Sequence, residues 1–298
     1  MTAAAGLEAL GLRLWRRGKV RDTYDLGDRL LMVASDRISA FDCVLPTPVP
    51  DKGRVLTQMS RFFFDRTRAV VPNHLCADDP AGLPEAARAR VADRAMWVRR
   101  AERIDVECVV RSRLAGSGWA EVRERGTLAA EPVPAGLGEG DALPEPRFTP
   151  AVKHDRGHDE NVSRAHLRSL VGTEVADQLE SVSLACFAAA SGLVAAAGFV
   201  LVDTKFEFGW IDGRLHCIDE CVTPDSSRFW DASLPARAGA RSGFDKQSVR
   251  DYLLQLDWDR TPPAPPLPPE LVAGVRARYL EACRRITGID LSPTSSSP

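Results

Sequence analysis

The chain has 298 residues, 44% hydrophobic and 27% charged, proportions that exclude disorder or a collagen-like repeat as overall descriptions. Its length approaches the limit of a single hydrophobic core and points to one large domain or two lobes. With 39 Lys and Arg against 41 Asp and Glu, the net charge of −2 excludes a global basic field for nucleic acid, so any anion site has to be local.

Residues 1–14 lack the basic head, apolar core and cleavage site of a secretory leader. Residues 19–24 and 29–34 read as strands around Leu26-Gly27-Asp28, a hairpin signal. Residues 53–68 read as a helix with Val55, Met59, Phe62 and Phe63 on one apolar face, and residues 96–98 and 106–110 as further strands. The Gly- and Pro-rich stretch 126–150 is expected to be a long loop. Ser163 is placed to cap a short helix ending at Gly172, and Thr173 to cap a long Ala-rich helix over 174–197, stopped by Gly198. Ser191, Gly192 and Gly198 interrupt that Ala-rich stretch, so no apolar run reaches the roughly 18–20 residues of a membrane span, and a cytoplasmic location is expected. A strand begins at Phe199, residues 244–250 open a helix, and a stiff proline run over 262–269 leads into a last amphipathic helix over 270–287, stopped by Gly288. The seven cysteines, Cys43, Cys76, Cys108, Cys186, Cys217, Cys221 and Cys283, show no CxxC spacing and read as reduced thiols in packing positions.

Chemistry concentrates in residues 201–210, where alternation sets Val202, Thr204, Phe206, Phe208 and Trp210 on one face and Asp203, Lys205 and Glu207 on the other. Alone, this describes a half-buried strand with a wet polar face. Asp212-Gly213 then predicts an antiparallel return over 214–220. A plain two-residue turn sets Glu207 opposite Ile218; one extra loop residue sets it opposite Asp219. We favour the second register, in which two carboxylates share a divalent ion with phosphate oxygens and water, the usual Mg²⁺ arrangement of a nucleotide enzyme. Arg228, after the polar turn Thr223-Pro224-Asp225-Ser226-Ser227, suits bidentate recognition of a phosphate or carboxylate. Arg111-Ser112-Arg113 through Gly118 supplies two guanidiniums, two hydroxyls and flexible backbone, a phosphate-cradle pattern. Lys19 and Arg21, in Arg16-Arg17-Gly18-Lys19-Val20-Arg21, could lie over nucleotide phosphates, although the segment is neither a Walker loop nor GxGxxG. Lys246 and Arg250 share one helix face, and His158-Asp159-Glu160-Asn161-Val162-Ser163 reads as a helix entry.

Taken together, these segments resemble the phosphoribosylaminoimidazole-succinocarboxamide synthase (SAICAR synthetase) family. The matching stretches, in family order, are residues 18–24, Ser35-Asp36-Arg37-Ile38-Ser39-Ala40-Phe41-Asp42, Lys52-Gly53-Arg54-Val55-Leu56-Thr57, 106–118, 157–163, 203–209, 219–230 and 244–253. The resemblance implies an α+β fold of two lobes: an N-terminal antiparallel lobe similar to the small lobe of protein kinases, over 1–105, and a larger mixed lobe over 106–298, with ATP between them. It implies an ATP-dependent ligase of purine biosynthesis that joins L-aspartate to carboxyaminoimidazole ribotide (CAIR) through an acyl phosphate and yields SAICAR, ADP and phosphate. Phosphoryl transfer of this kind asks for positioning and charge neutralisation, which accounts for the lack of a Ser/His/Asp or Cys/His set.

Carried over by position, the resemblance gives Glu207 and Asp219 to Mg²⁺ and the ATP phosphates, and Lys19 and Arg21 to ATP. It gives Arg111, Ser117, Asp203, Lys205, Asp225, Arg228 and Arg250 to CAIR, with Lys205, Glu207 and Asp219 catalytic. Asp36, Ser39 and Lys246 are the expected aspartate contacts. The implied cofactors are ATP and Mg²⁺, and the implied partners are small molecules, with neither nucleic acid nor membrane. A small-molecule kinase is the competing enzyme reading, and a non-catalytic nucleotide-binding module the competing class.

Overall fold

The computed structural model describes residues 6–77, 83–152, 160–235 and 243–291. Its N-terminal sheet joins β1 (Arg13–Arg17), β2 (Arg21–Asp25) and β3 (Arg29–Ala34) in antiparallel order. A two-stranded ladder of β4 (Ser39–Ala40) and β5 (Cys43–Val44) follows, and β6 (Ala95–Arg99) completes the four-stranded sheet beside β3. The β2–β3 turn forms as expected: Gly27 takes a left-handed φ of 86°, and its N–H donates to Asp25 Oδ1 at 2.9 Å. Period-two alternation divides β3 between two cores. Leu31 and Val33 join Tyr24 and Trp97 under α2 (Glu85–Val91), while Leu30, Met32 and Ala34 turn to the opposite face, toward the main core.

Helix α1 (Lys52–Thr67) buries Val55, Leu56, Met59, Phe63 and Phe64 completely. It packs on β3, and also on two later helices, α5 (Thr173–Ala196) and α7 (Pro269–Thr287), so it joins the first hundred residues to the rest of the chain.

The second sheet is built around β13 (Phe199–Ile211), which pairs with β8 (Val106–Arg113), β14 (Arg214–Ile218), β15 (Ser227–Asp231) and the short β7 (Glu102–Arg103). Outside β8 lie β11 (Ala142–Val152) and β12 (Glu160–Asn161). Between β8 and β11 come α3 (Gly116–Arg125) and a hairpin of β9 (Thr127–Leu128) and β10 (Glu131–Pro132). The stretch 126–150 is therefore not one long loop. Pro144 and Pro146 are accommodated because they fall in the irregular register between Ala142 and Arg147, where no ladder hydrogen bond is required of them.

Helix α5 covers β13 and β8, with α4 (Arg164–Val171) beside it. Ser163 caps α4 as expected, its Oγ accepting from His166 N at 3.1 Å. The cap of α5 differs: Gly172 is the N-cap and Thr173 the first helical residue, with no side-chain capping bond. Contrary to the sequence expectation, α5 is long and apolar enough to cross a membrane by length and composition, because its small residues do not interrupt the helix. Leu179, Cys186, Phe187, Ala190 and Val194 instead face the main core. Toward the end of the chain, α6 (Gln247–Leu254) and α7 pack together, and α7 ends at Gly288, whose φ of 76° is the expected left-handed stop.

Two features of β13 correct the sequence reading. Asp212 and Gly213 both take positive φ, 50° and 71°, so a two-residue turn sets Ile211 opposite Arg214 and hence Glu207 opposite Ile218, not Asp219. A bulge between Leu201 and Asp203 also breaks the strict alternation: Leu201 joins the main core, whereas Val202 packs with Ala115 and Trp230.

Gly53 lies against the end of β3. A Cβ there would sit 2.4 Å from Ala34 O, a backbone atom that cannot swing away. Gly53→Ala is expected to destabilise the fold by about 1–3 kcal/mol, read as a lower urea midpoint at unchanged m-value.

Candidate active site

A cleft of about 810 Å³ lies between the two sheets. Val20, Leu30, Met32 and Val98 from the first sheet meet Ile218 to give it an apolar side, while Glu107, Lys205, Glu207, Asp219, Glu220, Asp225 and Lys246 give it a charged one. Lys19 and Val20 stand on a tight turn closed by Gly18 N donating to Arg21 O at 2.7 Å. Lys19 is half-exposed at the rim and pairs with Asp42.

The expected wet face of β13 is buried: Asp203 and Glu207 are 4% and 6% exposed. Burial of charge is tolerated only with compensation. Lys205 Nζ donates to Glu107 Oε1 at 2.7 Å and to Glu207 Oε1 at 3.1 Å. Burial works against its charge, but Glu207 and Glu107 outweigh burial and hold Lys205 protonated well above the usual lysine range. Arg21 is itself buried, donating to both Asp219 oxygens at 3.3 Å and to Glu220 Oε2. Asp219 follows the end of β14 with a φ of 63°, which turns it out of the strand and into the cleft. Burial and the nearby Glu207 and Glu220 raise its carboxyl, against the pull of Arg21.

The register correction therefore separates Glu207 and Asp219 along the ladder without separating them in space, since both line the cleft. Among the described residues no group of three or more His, Cys, Asp or Glu side chains is arranged to hold a metal. A pair of hard carboxylates, close enough that Glu207 helps to raise the pKa of Asp219, suits a divalent cation whose remaining ligands are phosphate and water.

At a second corner, Asp203 lies between two guanidiniums. Arg111 Nη1 donates to its Oδ2 at 3.0 Å and Arg228 Nη1 at 2.5 Å, while Arg111 also reaches Ser117 Oγ and Thr149 Oγ1, each at 3.1 Å. The Arg111–Gly118 segment is a strand end running into α3, not a free loop. Gly116 is required in it: its φ is 54°, and a Cβ would lie 2.1 Å from Arg228 Nη2. Arg228 Nε is buried without a partner among the described residues. Arg250, whose charge is disfavoured by burial and by Arg228, stands nearby on α6.

Asp225 forms a third focus. Lys52 Nζ donates to its Oδ2 at 2.6 Å, Tyr279 Oη to its Oδ1 at 3.1 Å, and Lys246 Nζ lies 3.6 Å from Oδ1. Burial opposes ionisation of Asp225, yet Lys246 and Lys52 hold its carboxyl well below the usual range.

Of the expected aspartate contacts, Ser39 and Lys246 line the cleft. Asp36 instead accepts from Gly53 N and Arg94 Nη1, both at 3.0 Å, and so secures the start of α1. His158 lies outside the described residues. Sequence reasoning gave no role to Glu107, Glu220, Lys52, Tyr279 or His74. One signal was available for Lys52: a cation in the first turn of a helix opposes the helix dipole and needs a nearby acid.

The sequence profile of the SAICAR synthetase family matches residues 14–265. The chain is 48% identical over 282 residues to the phosphoribosylaminoimidazole-succinocarboxamide synthase of Desulfosudis oleivorans, covering 93% of this chain and 96% of that protein. The chain belongs to the SAICAR synthetase family. The synthase of Geobacter sulfurreducens is 46% identical, over 93% of this chain and 95% of its own. The SAICAR synthase of Saccharomyces cerevisiae complexed with SAICAR superposes with a TM-score of 0.83 at 34% identity, covering 94% of this chain and 96% of that one. A SAICAR synthetase in complex with ADP superposes with a TM-score of 0.69 at 25% identity, over 93% and 99%. The α+β fold expected from the sequence is thus the fold this chain shares with solved members of the family.

His74, in the wall of the cleft, is 3% exposed, and its Nε2 has no hydrogen-bond partner among the described residues. Burial, then Arg21 and His216, push its pKa down to about 3. The unfolded chain takes up this proton below about pH 6.5 and the folded chain does not, so stability is lost as pH falls from 6.5 toward 3. Urea midpoints of wild type at pH 7.5 and pH 5 are expected to fall with acidity, and those of His74→Gln to fall less.

Proposed function

We propose that this chain is an ATP-dependent ligase joining L-aspartate to CAIR, with SAICAR, ADP and phosphate as products. The observation that carries the reading is the cleft itself, with Lys205 held between Glu107 and Glu207 beside Asp219, facing an apolar wall from the other sheet. Such a wall suits a purine ring, and Lys19 on its turn is within the same cleft for the phosphates. On this reading ATP lies between the units 1–105 and 106–298, and the ADP complex of a relative supports nucleotide binding by the fold.

Chemistry then follows from charge. A CAIR carboxylate oxygen attacks the γ-phosphorus of ATP, and ADP leaves. The amine of aspartate attacks the carbonyl carbon of the acyl phosphate, loses a proton, and expels inorganic phosphate as the amide forms. Lys205, fixed by two glutamates, neutralises negative charge at the reacting carboxylate without reorganising. Arg111 and Arg228 take the ribotide phosphate, with Ser117 orienting Arg111 and Asp203 holding the two guanidiniums together. Arg250 and Asp225 border the ribotide, and Ser39 and Lys246 meet carboxylates. Glu207 and Asp219 would hold Mg²⁺, which when bound shields the triphosphate charge. As a biosynthetic enzyme using cellular ATP, it is proposed to act in the cytoplasm.

Phosphate release should require ATP, CAIR, aspartate and Mg²⁺ together; a stable phosphorylated product made without aspartate would reveal a kinase instead. Glu207→Ala is expected to lower kcat by roughly 10²–10³. Arg228→Ala should raise KM for CAIR about tenfold or more while ADP affinity, measured by calorimetry, stays within about twofold.

A further inference from the structure

Asp225 has two oxygens and three claimants. Lys52, fully buried at the start of α1, takes Oδ2 at 2.6 Å, and Tyr279, buried on α7, donates to Oδ1 at 3.1 Å. Lys246, just before α6, stands 3.6 Å from Oδ1, beyond hydrogen-bond distance. Both oxygens are thus engaged by side chains that lie far apart in sequence, while Lys246 lines the cleft. The other charges facing Lys246 are Lys52 from α1 and Arg250 from α6, both repulsive, and Glu220, attractive.

We propose that Lys52 and Tyr279 are positioning residues of the active site: by occupying the two oxygens of Asp225 they keep the Lys246 ammonium undercompensated and directed at a substrate carboxylate. The inference rests on the reading of Lys246 as a substrate contact. A Lys246 hydrogen-bonded to Asp225 would have to break that bond before meeting its ligand, whereas one held in a long ion pair at 3.6 Å keeps its N–H donors for a substrate carboxylate.

Protonation follows from the same arrangement. Burial lowers the Lys246 pKa to about 8; Asp225 opposes that, and Lys52 and Arg250 add to it. Burial first, and then Asp225, holds the Tyr279 hydroxyl well above its ordinary range, so it remains a donor at neutral pH. In the free enzyme Lys246 is charged below about pH 8 and neutral above it, so kcat/KM for the substrate it meets falls on the alkaline side. Removing the Tyr279 hydroxyl returns Oδ1 to Lys246 and raises its pKa. Removing the Lys52 charge acts in the same direction.

The test is the pH profile of kcat/KM for CAIR and for aspartate, from pH 6 to about 9.5, in wild type, Tyr279→Phe, Lys52→Met and Lys246→Met. Thermal melting establishes that each variant is folded. Wild type is expected to show an alkaline limb near pH 8 with one substrate. Lys246→Met should abolish that limb and raise the matching KM about tenfold. Tyr279→Phe should move the limb upward by about half a pH unit or more. A folded Lys52→Met should move it the same way. If Lys246→Met removes the limb but neither Tyr279→Phe nor Lys52→Met moves it, the positioning roles are overturned and the substrate contact stands. If Lys246→Met changes neither KM nor the limb, the substrate contact fails and the inference fails with it. A lower melting temperature of Tyr279→Phe with an unmoved limb would mark Tyr279 as structural only and overturn its role.

Discussion

Burial of charge is the constraint on which the rest of this structure depends. Asp203 and Glu207 of the central strand are buried, and Lys205 between them is only partly exposed where it lines the cleft. A buried ion without an opposite partner costs several kcal/mol, so each one obliges another segment of chain to bring a counter-charge. Lys205 calls for Glu107 from β8, Asp203 for Arg111 and Arg228 from β8 and β15, and Arg21 of the first sheet for Asp219 and Glu220. The two sheets are joined across the cleft by ions as well as by the apolar core.

That compensation is incomplete in a patterned way. Carboxylates crowd at Glu207 and Asp219, whereas guanidiniums and ammoniums exceed acids around Arg228, Arg250 and Lys246. On the proposed function, a metal–triphosphate complex and an anionic ribotide would supply the opposite charges in each place. The net charge of −2 for the whole chain conceals this local separation. Acyl phosphate chemistry obtains its leaving group from ATP and needs the protein mainly to hold like charges close together.

Much of the fold was legible in the sequence because local rules governed it. The β2–β3 turn, the Ser163 cap, the Gly288 stop and the apolar face of α1 follow from residue type and spacing alone. Where the reading failed, a tertiary term prevailed in one place and turn geometry in another. Residues 142–150, the end of the Gly- and Pro-rich stretch 126–150, looked like loop, yet pairing with β8 made them part of a strand, with two prolines in its irregular stretch. The favoured Glu207–Asp219 register failed for a local reason: Asp212 accepts a left-handed conformation, so the turn needed only two residues. The carboxylates still share a cleft because Asp219 itself turns left-handed at the strand end.

Sequence by itself determined which chemical groups this protein owns and in what order: the acids and lysine of the central strand, the arginines, and the family pattern that relates them. Tertiary structure alone decided which of them pair. Asp36 secures a helix instead of lining the cleft, Arg21 binds Asp219, one of the two acids expected to face ATP, and Asp225 gathers Lys52, Tyr279 and Lys246 from three distant segments. The physical reason is range. Turns and helix ends are set by neighbours a few residues apart, whereas the strength of an ion pair depends on burial and on a partner's approach through space, neither of which sequence separation encodes.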